Sequence, residues 1–480
     1  MSPHKIDRKA RMQKPPVHAQ RRPPEERVHD FEETLILPTL EQAIAEASRC
    51  IRCPNSPCQN ACPLHNDIPK ALRLLEEGRV VEAAMVYRES NPLPEICGRV
   101  CPHDLCQAAC TLNKVDKAID VRRLEAFVTD YQQKTSGVPL PSRAPVTGKK
   151  VAVIGAGPAG MTVAERLACK GHRVDVYDKH PSAGGLLIHG IPRFKLSSQV
   201  VDAKVRWLEA LGINFHYNVT VGRDIAVRIL LERYDAVFMG VGTPKVSRPG
   251  LDGENLSGVY EASEFLVCTN LPPDAPPLTC QHDLKIGPRI HVLGGGDTAM
   301  DCLRTALRIP GVTEVTCYYR RSEAEMPAHA EEYHYAREEG ANFEWLACPV
   351  RFEGDGKGNI RAVTYQRMKL GEPDESGRCR PNPIPGSEFI VEVDTVVLAL
   401  GYRADANFLS NIEGLKLRRK NLVEVDKEPT GRTHVPGLFA AGDVVRGPDL
   451  VVTAIAAAAQ VAETIDRYLR ENNAEEWPVA

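Results

Sequence analysis

The stretch KKVAVIGAGPAGMTVAERLACKGHRVDVYDK, residues 149–179, decides the fold of this chain. Its apolar start predicts a buried parallel strand, and the apolar spacing after the glycines predicts a helix. Gly155, Gly157 and Gly160 form a G-x-G-x-x-G turn, which permits a tight bend, the approach of a pyrophosphate and close helix–strand packing. Asp178 ends the second strand, where a carboxylate can bind a ribose hydroxyl. Strand, turn, helix, strand and acid in this order predict a dinucleotide-binding unit.

The same order of elements returns in PRIHVLGGGDTAMDCLRTALRIPGVTEVTCYYRR, residues 288–321. Gly294 and Gly296 take the first two glycine positions. The second strand ends in Arg320 and Arg321 instead of an acid, and cations at this point favour NADPH over NADH because they can bind a 2′-phosphate. A solvated strand end is the alternative interpretation of the two arginines.

A third segment, THVPGLFAAGDVVRGPDLVVTAIAAAA at residues 433–459, fits a flavin site. Asp443 follows Gly442 at a strand end, where it can accept hydrogen bonds from a ribityl chain. The helix beginning near Thr453 can direct its N-terminus at the flavin ring. Asp443 as a plain turn residue is the alternative. Two dinucleotide units in one chain predict a bound flavin and a transient nicotinamide, since hydride transfer needs a donor and an acceptor held together.

Eight cysteines lie in two short runs, CIRCPNSPCQNAC at residues 50–62 and CGRVCPHDLCQAAC at 97–110. The N-terminal residues lack the apolar core of an export signal, so a reducing cytoplasm is expected, where structural disulfides are rare. Zinc sites and iron–sulfur clusters both use such short spacings. Beside flavin and nicotinamide sites, clusters have a function in electron transfer and zinc has none. The sequence therefore favours clusters.

Composition excludes other classes of protein. With 480 residues, 43% hydrophobic and 26% charged, the chain is long enough for several domains of ordinary soluble composition. A formal net charge of -3 argues against a general nucleic-acid or anionic-membrane binder. No stretch approaches the roughly 18 apolar residues of a membrane helix. A disulfide reductase would need a closely spaced cysteine pair near the flavin, and none follows Gly155.

The expected fold class is α/β, with two Rossmann-like dinucleotide-binding domains, one inserted in the other, after a small α-helical iron–sulfur domain. The predicted segments are a mobile or partner-wrapped arm at 1–35, a helical double-cluster domain at 36–133, a linker at 134–149, the first part of an FAD domain at 150–270, an NADPH domain at 271–393, and the second part of the FAD domain at 394–480, which includes the strand TVVLALGY.

Several motifs of the chain closely resemble the small (β) subunit family of bacterial NADPH-dependent glutamate synthase, from about residue 40 almost to the C-terminus. They include CGRVCP, GKKVAVIGAGPAG, GGLLIHGIPRFKL, VLGGGDTAMDC, EMPAHAEEYHYAREEG and AAGDVVRGPDLVVTAIA. The resemblance implies oxidation of NADPH at FAD and electron transfer through [4Fe–4S] clusters to a large FMN-containing (α) subunit that makes glutamate from glutamine and 2-oxoglutarate. Related chains serve other acceptors, as in sulfide dehydrogenase-like and ferredoxin:NADP oxidoreductase-like complexes.

Gly185 and Leu186 in GGLL, and Lys195 in PRFKL, are expected to line the isoalloxazine ring, with ordinary loop residues as the alternative. The nicotinamide nucleotide is expected to contact Gly294, Gly296, Asp297, Thr298, Arg320 and Arg321, with helix capping as the alternative role of Asp297. One arrangement of the cysteines gives each run its own cluster. The resemblance and the pattern of two-cluster ferredoxins imply instead a crossed arrangement, with one cluster held by Cys50, Cys53, Cys58 and Cys110 and the other by Cys62, Cys97, Cys101 and Cys106.

The gap CPHDLC between Cys101 and Cys106 is one residue shorter than in the family pattern, which bears on the geometry of the second cluster. Hydride transfer to a flavin needs no protein acid or base, so no catalytic residue is expected in that sense. A degenerate scaffold that merely binds cofactors is the non-enzymatic rival, and the intact turns and cysteines argue against it.

Overall fold

The computed structural model describes residues 6–115, 117–270, 284–374, 377–426 and 430–471. The helices are, in chain order, α1 Arg8–Met12, α2 Pro24–Arg27, α3 Leu40–Ala47, α4 Pro57–Ala61, α5 Ile68–Glu76, α6 Val80–Ser90, α7 Pro94–Val100, α8 Val121–Thr135, α9 Pro158–Cys169, α10 Leu186–His189, α11 Ser198–Ala210, α12 Val227–Arg233, α13 Ala262–Asn270, α14 Asp297–Ala306, α15 Ala330–Glu338, α16 Ala406–Leu409, α17 Asp443–Arg446 and α18 Val451–Glu471. The strands are β1 Lys150–Ile154, β2 Arg173–Tyr177, β3 Asn214–His216, β4 Ala236–Met239, β5 Lys245–Val246, β6 Val259–Glu261, β7 Arg289–Leu293, β8 Glu314–Tyr319, β9 Asn342–Trp345, β10 Ala347–Gly354, β11 Ile360–Pro373, β12 Cys379–Glu392, β13 Thr395–Leu398, β14 Tyr402–Arg403, β15 Leu417–Arg418, β16 Leu422–Val423 and β17 Leu438–Ala440.

Helices α3 to α8 build the cysteine-containing domain. Thr39 opens α3 with a capping box, accepting from the backbone N–H of Gln42 while the Gln42 side chain accepts from Thr39. In α5 the buried residues fall three and four apart, at Ile68, Leu72 and Leu75, so one face of the helix enters the core. The two cysteine runs lie in and around α4 and α7, between these packed helices.

The first nucleotide domain is a parallel five-stranded sheet in the order β17–β4–β1–β2–β3. Its central strand β1 is buried at every position after Lys150, which is the pattern of a strand covered by helices on both faces. Helices α9 and α18 pack against each other and against this sheet. The C-terminal strand β17 completes the sheet, so the domain is made from two separate parts of the chain.

The second nucleotide domain is inserted between those parts and has a parallel sheet in the order β6–β13–β7–β8–β9. An antiparallel meander, β10–β11–β12, lies beside it. Strands β5 and β14 pair with each other where the chain enters and leaves the insertion. The fold class inferred from the sequence is confirmed, with one domain inserted in the other.

The predicted domain boundaries were wrong at both ends of the insertion. Strand β13, expected in the flavin domain, pairs with β6 and β7 of the second sheet. Arg289 holds it there, because its guanidinium Nε donates to the Asp394 carboxylate over 2.9 Å. Strand β6 belongs to the same sheet although it precedes residue 271. A short apolar run such as TVVL carries no mark of which sheet it joins.

The described part of the arm, residues 6–35, packs against the folded domains of its own chain. The sequence predicted a mobile or partner-wrapped arm. Arg11 donates to the carbonyl oxygens of Ser48 and Cys50 over 2.9 Å, and the Thr34 N–H donates to the Phe194 carbonyl over 2.9 Å. Arg27 is 2% exposed and pairs with carboxylates of α15. Arg11, Thr34 and Arg27 therefore tie the arm to three folded domains of its own chain.

Candidate functional site

The first glycine turn joins β1 to α9 at very short range. Gly155 has φ +97°, in the region that favours glycine. A Cβ on Gly160 would lie 1.9 Å from the Gly155 carbonyl oxygen, so only glycine allows this approach. Around Gly157, by contrast, the nearest atom to an added Cβ is the Gly185 Cα at 4.0 Å. The turn is closed toward the sheet and open at the N-terminus of α9, where a pyrophosphate is favoured.

The segment preceding α10 packs against this turn. The Gly184 N–H donates to the Ala156 carbonyl over 2.9 Å, and a Cβ on Gly185 would lie 2.9 Å from the Gly157 Cα. Leu186, the next residue, remains 45% exposed although it is large and apolar. Gly185 and Leu186 thus lie beside the first glycine turn, a position compatible with the prediction that they line the isoalloxazine ring.

Asp178 lies at the end of β2 and supports the turn directly. Its carboxylate accepts from the backbone N–H of Ala156 over 2.7 Å and from that of His180 over 2.9 Å. Burial raises the pKa of Asp178. A carboxylate has about four acceptor positions, so capacity remains for a ribose hydroxyl.

The C-terminal segment reaches the same place from the other side. A Cβ on Gly442 would lie 3.1 Å from the Ala159 Cβ in the first turn of α9. Asp443 begins α17, and burial followed by the nearby Asp449 carboxylate raises the pKa of Asp443 to about 7. The Thr453 hydroxyl donates to the Leu450 carbonyl over 2.7 Å in the first turn of α18. The expected flavin residues from three distant segments therefore converge.

Lys195 lies at the boundary with the inserted domain. Its ammonium lies 2.9 Å from the Asp301 carboxylate and 3.2 Å from that of Glu332, both in the inserted domain. Burial acts to lower the pKa of Lys195, but the two carboxylates outweigh it and raise that pKa. The structure therefore places Lys195 in an ion pair between domains, and its position beside the isoalloxazine stays a prediction.

The second glycine turn joins β7 to α14 and is more open. A Cβ on Gly294 would lie 2.2 Å from the Ala399 carbonyl oxygen, whereas one on Gly296 would meet no described atom within 4 Å. Burial raises the pKa of Tyr402 in the linking strand β14, and the neighbouring Thr298 side chain opposes that rise. Asp297 does not cap α14. Its carboxylate accepts from the His329 backbone N–H and pairs with the His329 ring Nδ1 at 2.6 Å.

The two arginines at the end of β8 have different surroundings. Arg320 is exposed. Arg321 is buried, donates to the Cys379 carbonyl over 2.8 Å and pairs with Asp374 at 2.6 Å. In this arrangement Arg320 presents its charge to solvent and Arg321 ties β8 to the region of β12.

The cysteines fall into two sets that do not follow the two runs. Cys50, Cys53, Cys58 and Cys110 line one cavity, together with apolar side chains of which Ile68, Leu72 and Val121 are examples. Burial, and then the neighbouring thiols Cys50 and Cys110, raise the pKa of Cys58 to about 12. We call this group the first thiol set.

The remaining four form the second thiol set, Cys62, Cys97, Cys101 and Cys106. A hydrogen bond with Cys101, and then burial, raise the pKa of Cys97. Burial, Glu125 and the thiols Cys101 and Cys62 raise that of Cys106. Each set thus takes its fourth member from the other run, and the shortened loop still brings Cys106 to Cys101.

The two thiol sets are suited to binding metal groups that carry positive charge. Buried thiols with raised pKa values resist becoming thiolates unless iron or another cation compensates them. Each set offers four cysteine sulfurs, and a four-iron cluster takes one thiolate per iron.

Glu125 is a residue that sequence reasoning missed. It lies on the buried face of α8 beside the second thiol set and accepts from the Asn91 amide over 3.0 Å. Burial, and then Cys101, raise the pKa of Glu125. Its only signal in the sequence is a carboxylate at an apolar position of the helix, between Leu124 and Val128.

The comparisons with known proteins agree with this geometry. Residues 27–137 match the family of dihydropyrimidine dehydrogenase domain II, 4Fe-4S cluster, and residues 149–458 match the pyridine nucleotide-disulphide oxidoreductase family. None of the helices described is long and apolar enough to cross a membrane.

Three known proteins illustrate the similarity. The glutamate synthase [NADPH] small chain of Escherichia coli is 43% identical, over 89% of this chain and 92% of the relative. The NADP(+)-dependent formate dehydrogenase subunit beta of Moorella thermoacetica is 39% identical, over 87% of this chain and 60% of that one. The fold of FprA from Mycobacterium tuberculosis, solved with NADPH, is similar with a TM-score of 0.56 at 21% identity, covering 68% of this chain and 85% of FprA. The chain therefore belongs to the glutamate synthase small-chain family, and it is an NADPH-dependent flavin and iron–sulfur oxidoreductase.

Proposed function

We propose that this chain is the electron-input subunit of a glutamate synthase. NADPH would be oxidised at FAD, and two [4Fe–4S] clusters would carry the electrons singly to a large FMN-containing subunit that forms glutamate from glutamine and 2-oxoglutarate. The observation that carries the proposal is the presence of two complete thiol sets and two nucleotide turns in one chain. A relative of almost the same length, the small chain from Escherichia coli, supports it.

The residues that would hold each group follow from the site. FAD would lie against the first glycine turn, Gly155, Gly157 and Gly160, with Asp178, Gly185, Leu186, Gly442, Asp443 and Thr453 around it. NADPH would lie on Gly294, Gly296 and Thr298 with Arg320 at its 2′-phosphate. The first and second thiol sets would each bind one cluster.

The contacts around the two thiol sets indicate which set is nearer the flavin domain, from which the electrons would come. Helix α7, which carries Cys97, contacts α11 and α18 of the flavin domain, and the Arg166 guanidinium donates to the Ser90 carbonyl across the same boundary over 2.9 Å. The first thiol set lies on the arm side, where Arg11 donates to the Cys50 carbonyl. We infer that the second set lies nearer the flavin domain and the first nearer the outer surface.

The chain's own residues supply placement and electrostatics. Free backbone N–H groups of the two glycine turns and the helix N-termini behind them stabilise phosphate charge. Apolar side chains such as Ile68 and Leu72 line the cavity of the first thiol set and limit the access of water to its half-buried cysteines. Since nicotinamide and flavin exchange a hydride directly, these residues need only hold the two rings together.

A second candidate keeps the same chain and changes the acceptor. The formate dehydrogenase subunit from Moorella thermoacetica is 39% identical over 87% of this chain, so the same module occurs in complexes with other chemistry. Here the chain would be the NADP-linked subunit of such a complex, or of a sulfide dehydrogenase-like or ferredoxin:NADP oxidoreductase-like one.

The test is anaerobic purification of the chain with its native partner, followed by metal analysis and assay. We expect about eight irons and eight acid-labile sulfides per chain, and glutamate formation from glutamine and 2-oxoglutarate with NADPH. Cys50→Ser should lose about half of the iron, whereas the matched control Cys169→Ser, outside both sets, should lose none. Zinc without sulfide would refute the clusters. A partner that reduces a different substrate would move the assignment to the second candidate.

A further inference from the structure

Helix α15 carries the EEYHYAREEG motif, which the cofactor sites do not use. Its acidic residues are Glu331, Glu332, Glu338 and, at the C-cap, Glu339. Each of them pairs with a cation from outside the helix. These cations come from the arm, the cysteine domain, the flavin domain and the neighbouring helix α14.

Glu332 faces the flavin domain. Its carboxylate lies 3.2 Å from the Lys195 ammonium, which also lies 2.9 Å from Asp301 of α14. Lys195 is next to Phe194, whose ring is fully buried and lies under the guanidinium of Arg308 at 4.0 Å. A short segment of the flavin domain is thus inserted into a charged recess of the inserted domain.

Glu339 faces the arm. Its buried carboxylate accepts from Arg27 Nε over 2.7 Å, from Arg304 Nη2 over 2.9 Å and from Arg308 Nη1 over 2.6 Å. Arg27 also reaches Glu338 at 2.9 Å. One arm residue therefore completes a cluster of three guanidiniums around one carboxylate.

Glu331 faces the cysteine domain. Its carboxylate pairs with the His103 ring Nε2 at 2.8 Å and with Arg122 of α8 at 3.2 Å, and it also pairs with Arg21 of the arm. His103 belongs to the shortened loop between Cys101 and Cys106. The loop therefore contacts the nicotinamide domain directly.

Buried charges are tolerated only when they are paired, so breaking one pair leaves another charge unsatisfied. All of these pairs form together in one orientation of the inserted domain. A rotation about the β5–β14 link would separate Lys195 from Glu332 and Arg27 from Glu339 at the same time. Orientation of two reacting groups contributes strongly to rate.

We propose that α15 and the arm residue Arg27 form an ionic latch that fixes the inserted domain against the flavin domain, with Arg27 and Lys195 as positioning residues for hydride transfer. The inference rests on the flavin oxidoreductase activity of the family and does not depend on the identity of the electron-accepting partner.

The test compares Arg27→Met with Arg22→Met in the full-length holoprotein. Arg22 is the matched control because it lies five residues away on the same arm and pairs with Asp30 within the arm at 2.6 Å. In Arg27→Met, Glu339 keeps two guanidiniums, so the chain should fold and retain flavin and iron. We expect NADPH to reduce the flavin about tenfold more slowly at unchanged NADPH affinity. Arg27→Lys should restore part of the rate.

Two readouts other than turnover separate positioning from a structural role. The long-wavelength absorption of nicotinamide stacked on flavin should weaken in Arg27→Met. Amide hydrogen exchange at residues 245–246 and 402–403 should accelerate there and stay unchanged in Arg22→Met. Wild-type flavin reduction in Arg27→Met would overturn the proposal. A slower rate that only tracks lost flavin would overturn it as well, because a structural role alone gives that result.

Discussion

The two glycine turns share one sequence pattern and differ in their surroundings. Around the first turn, backbone from two other segments approaches, so that a Cβ on Gly442 would lie 3.1 Å from the Ala159 Cβ and one on Gly185 2.9 Å from the Gly157 Cα. Around the second, a Cβ on Gly296 would meet no described atom within 4 Å. An enclosed turn suits a resident cofactor and an open one suits a nucleotide that must exchange. The surroundings, rather than the motif, make this distinction.

The largest expected effect comes from the third position of each turn. Gly160→Ala places a Cβ 1.9 Å from the Gly155 carbonyl oxygen, which should destabilise the chain by about 3 kcal/mol and abolish flavin binding. The second turn already has Ala299 there, fully buried. Ala299→Gly should cost only about 1 kcal/mol and leave the flavin bound.

Flavin absorbance after gel filtration and the midpoint of thermal unfolding measure both variants. If Gly160→Ala bound one flavin per chain, the first turn would accept a Cβ at its third position as easily as the second turn does. That result would contradict the proposed difference between the two turns.

An intermediate effect is expected at the end of β8, where the open turn would recognise NADPH. Arg320→Ala should raise KM for NADPH roughly 30-fold, equivalent to about 2 kcal/mol for lost charged hydrogen bonds. KM for NADH, which lacks the 2′-phosphate, should not change. Steady-state reduction of an artificial acceptor with each nucleotide measures this.

Arg321→Ala is the matched control for that experiment. Because Arg321 is buried and paired with Asp374, its removal should lower the unfolding midpoint and affect both nucleotides alike. A selective loss of NADPH use in Arg321→Ala, with Arg320→Ala unaffected, would reverse the assignment.

The smallest effect is expected at Asp443, in the C-terminal segment that packs beside the first glycine turn. Burial and Asp449 raise the pKa of this carboxyl to about 7, so it is mainly neutral below that pH and ionised above it. Asp443→Asn resembles the neutral form. Flavin affinity of Asp443→Asn should match the wild type near pH 6 and diverge by a few-fold near pH 8.5. Fluorescence titration of the flavin-free protein with FAD gives both values, and a difference confined to low pH would contradict the assignment.

Much of the site could be predicted from short patterns. The first turn, Asp178 and the Gly442–Asp443 pair converge because each lies at the carboxyl end of a strand of one parallel sheet, and such ends share one edge. The boundaries of the insertion could not be predicted in this way. Strand β13 is a short apolar run, and its partner is decided by the Arg289–Asp394 pair and by packing.

Lys195, Arg321 and Arg27 show the same limit at single residues. Lys195 and Arg321 were predicted to contact cofactors, and Arg27 belongs to the arm that was predicted to be mobile or partner-wrapped. In the structure they pair with carboxylates distant in the sequence, namely Glu332, Asp374 and Glu339. A sequence pattern reports charge and spacing and contains no information on which opposite charge lies across a domain boundary.

The sequence by itself determined the types of element, the two phosphate-binding turns and the number of thiols, because turns, periodicity and ligand chemistry depend on residues close together in the chain. The division of the thiols into two crossed sets followed from the family resemblance. Tertiary structure alone decided which sheet β13 completes and how the inserted domain is held. Those outcomes depend on contacts between segments tens to hundreds of residues apart, where burial makes each unpaired charge costly and leaves one arrangement that satisfies them together.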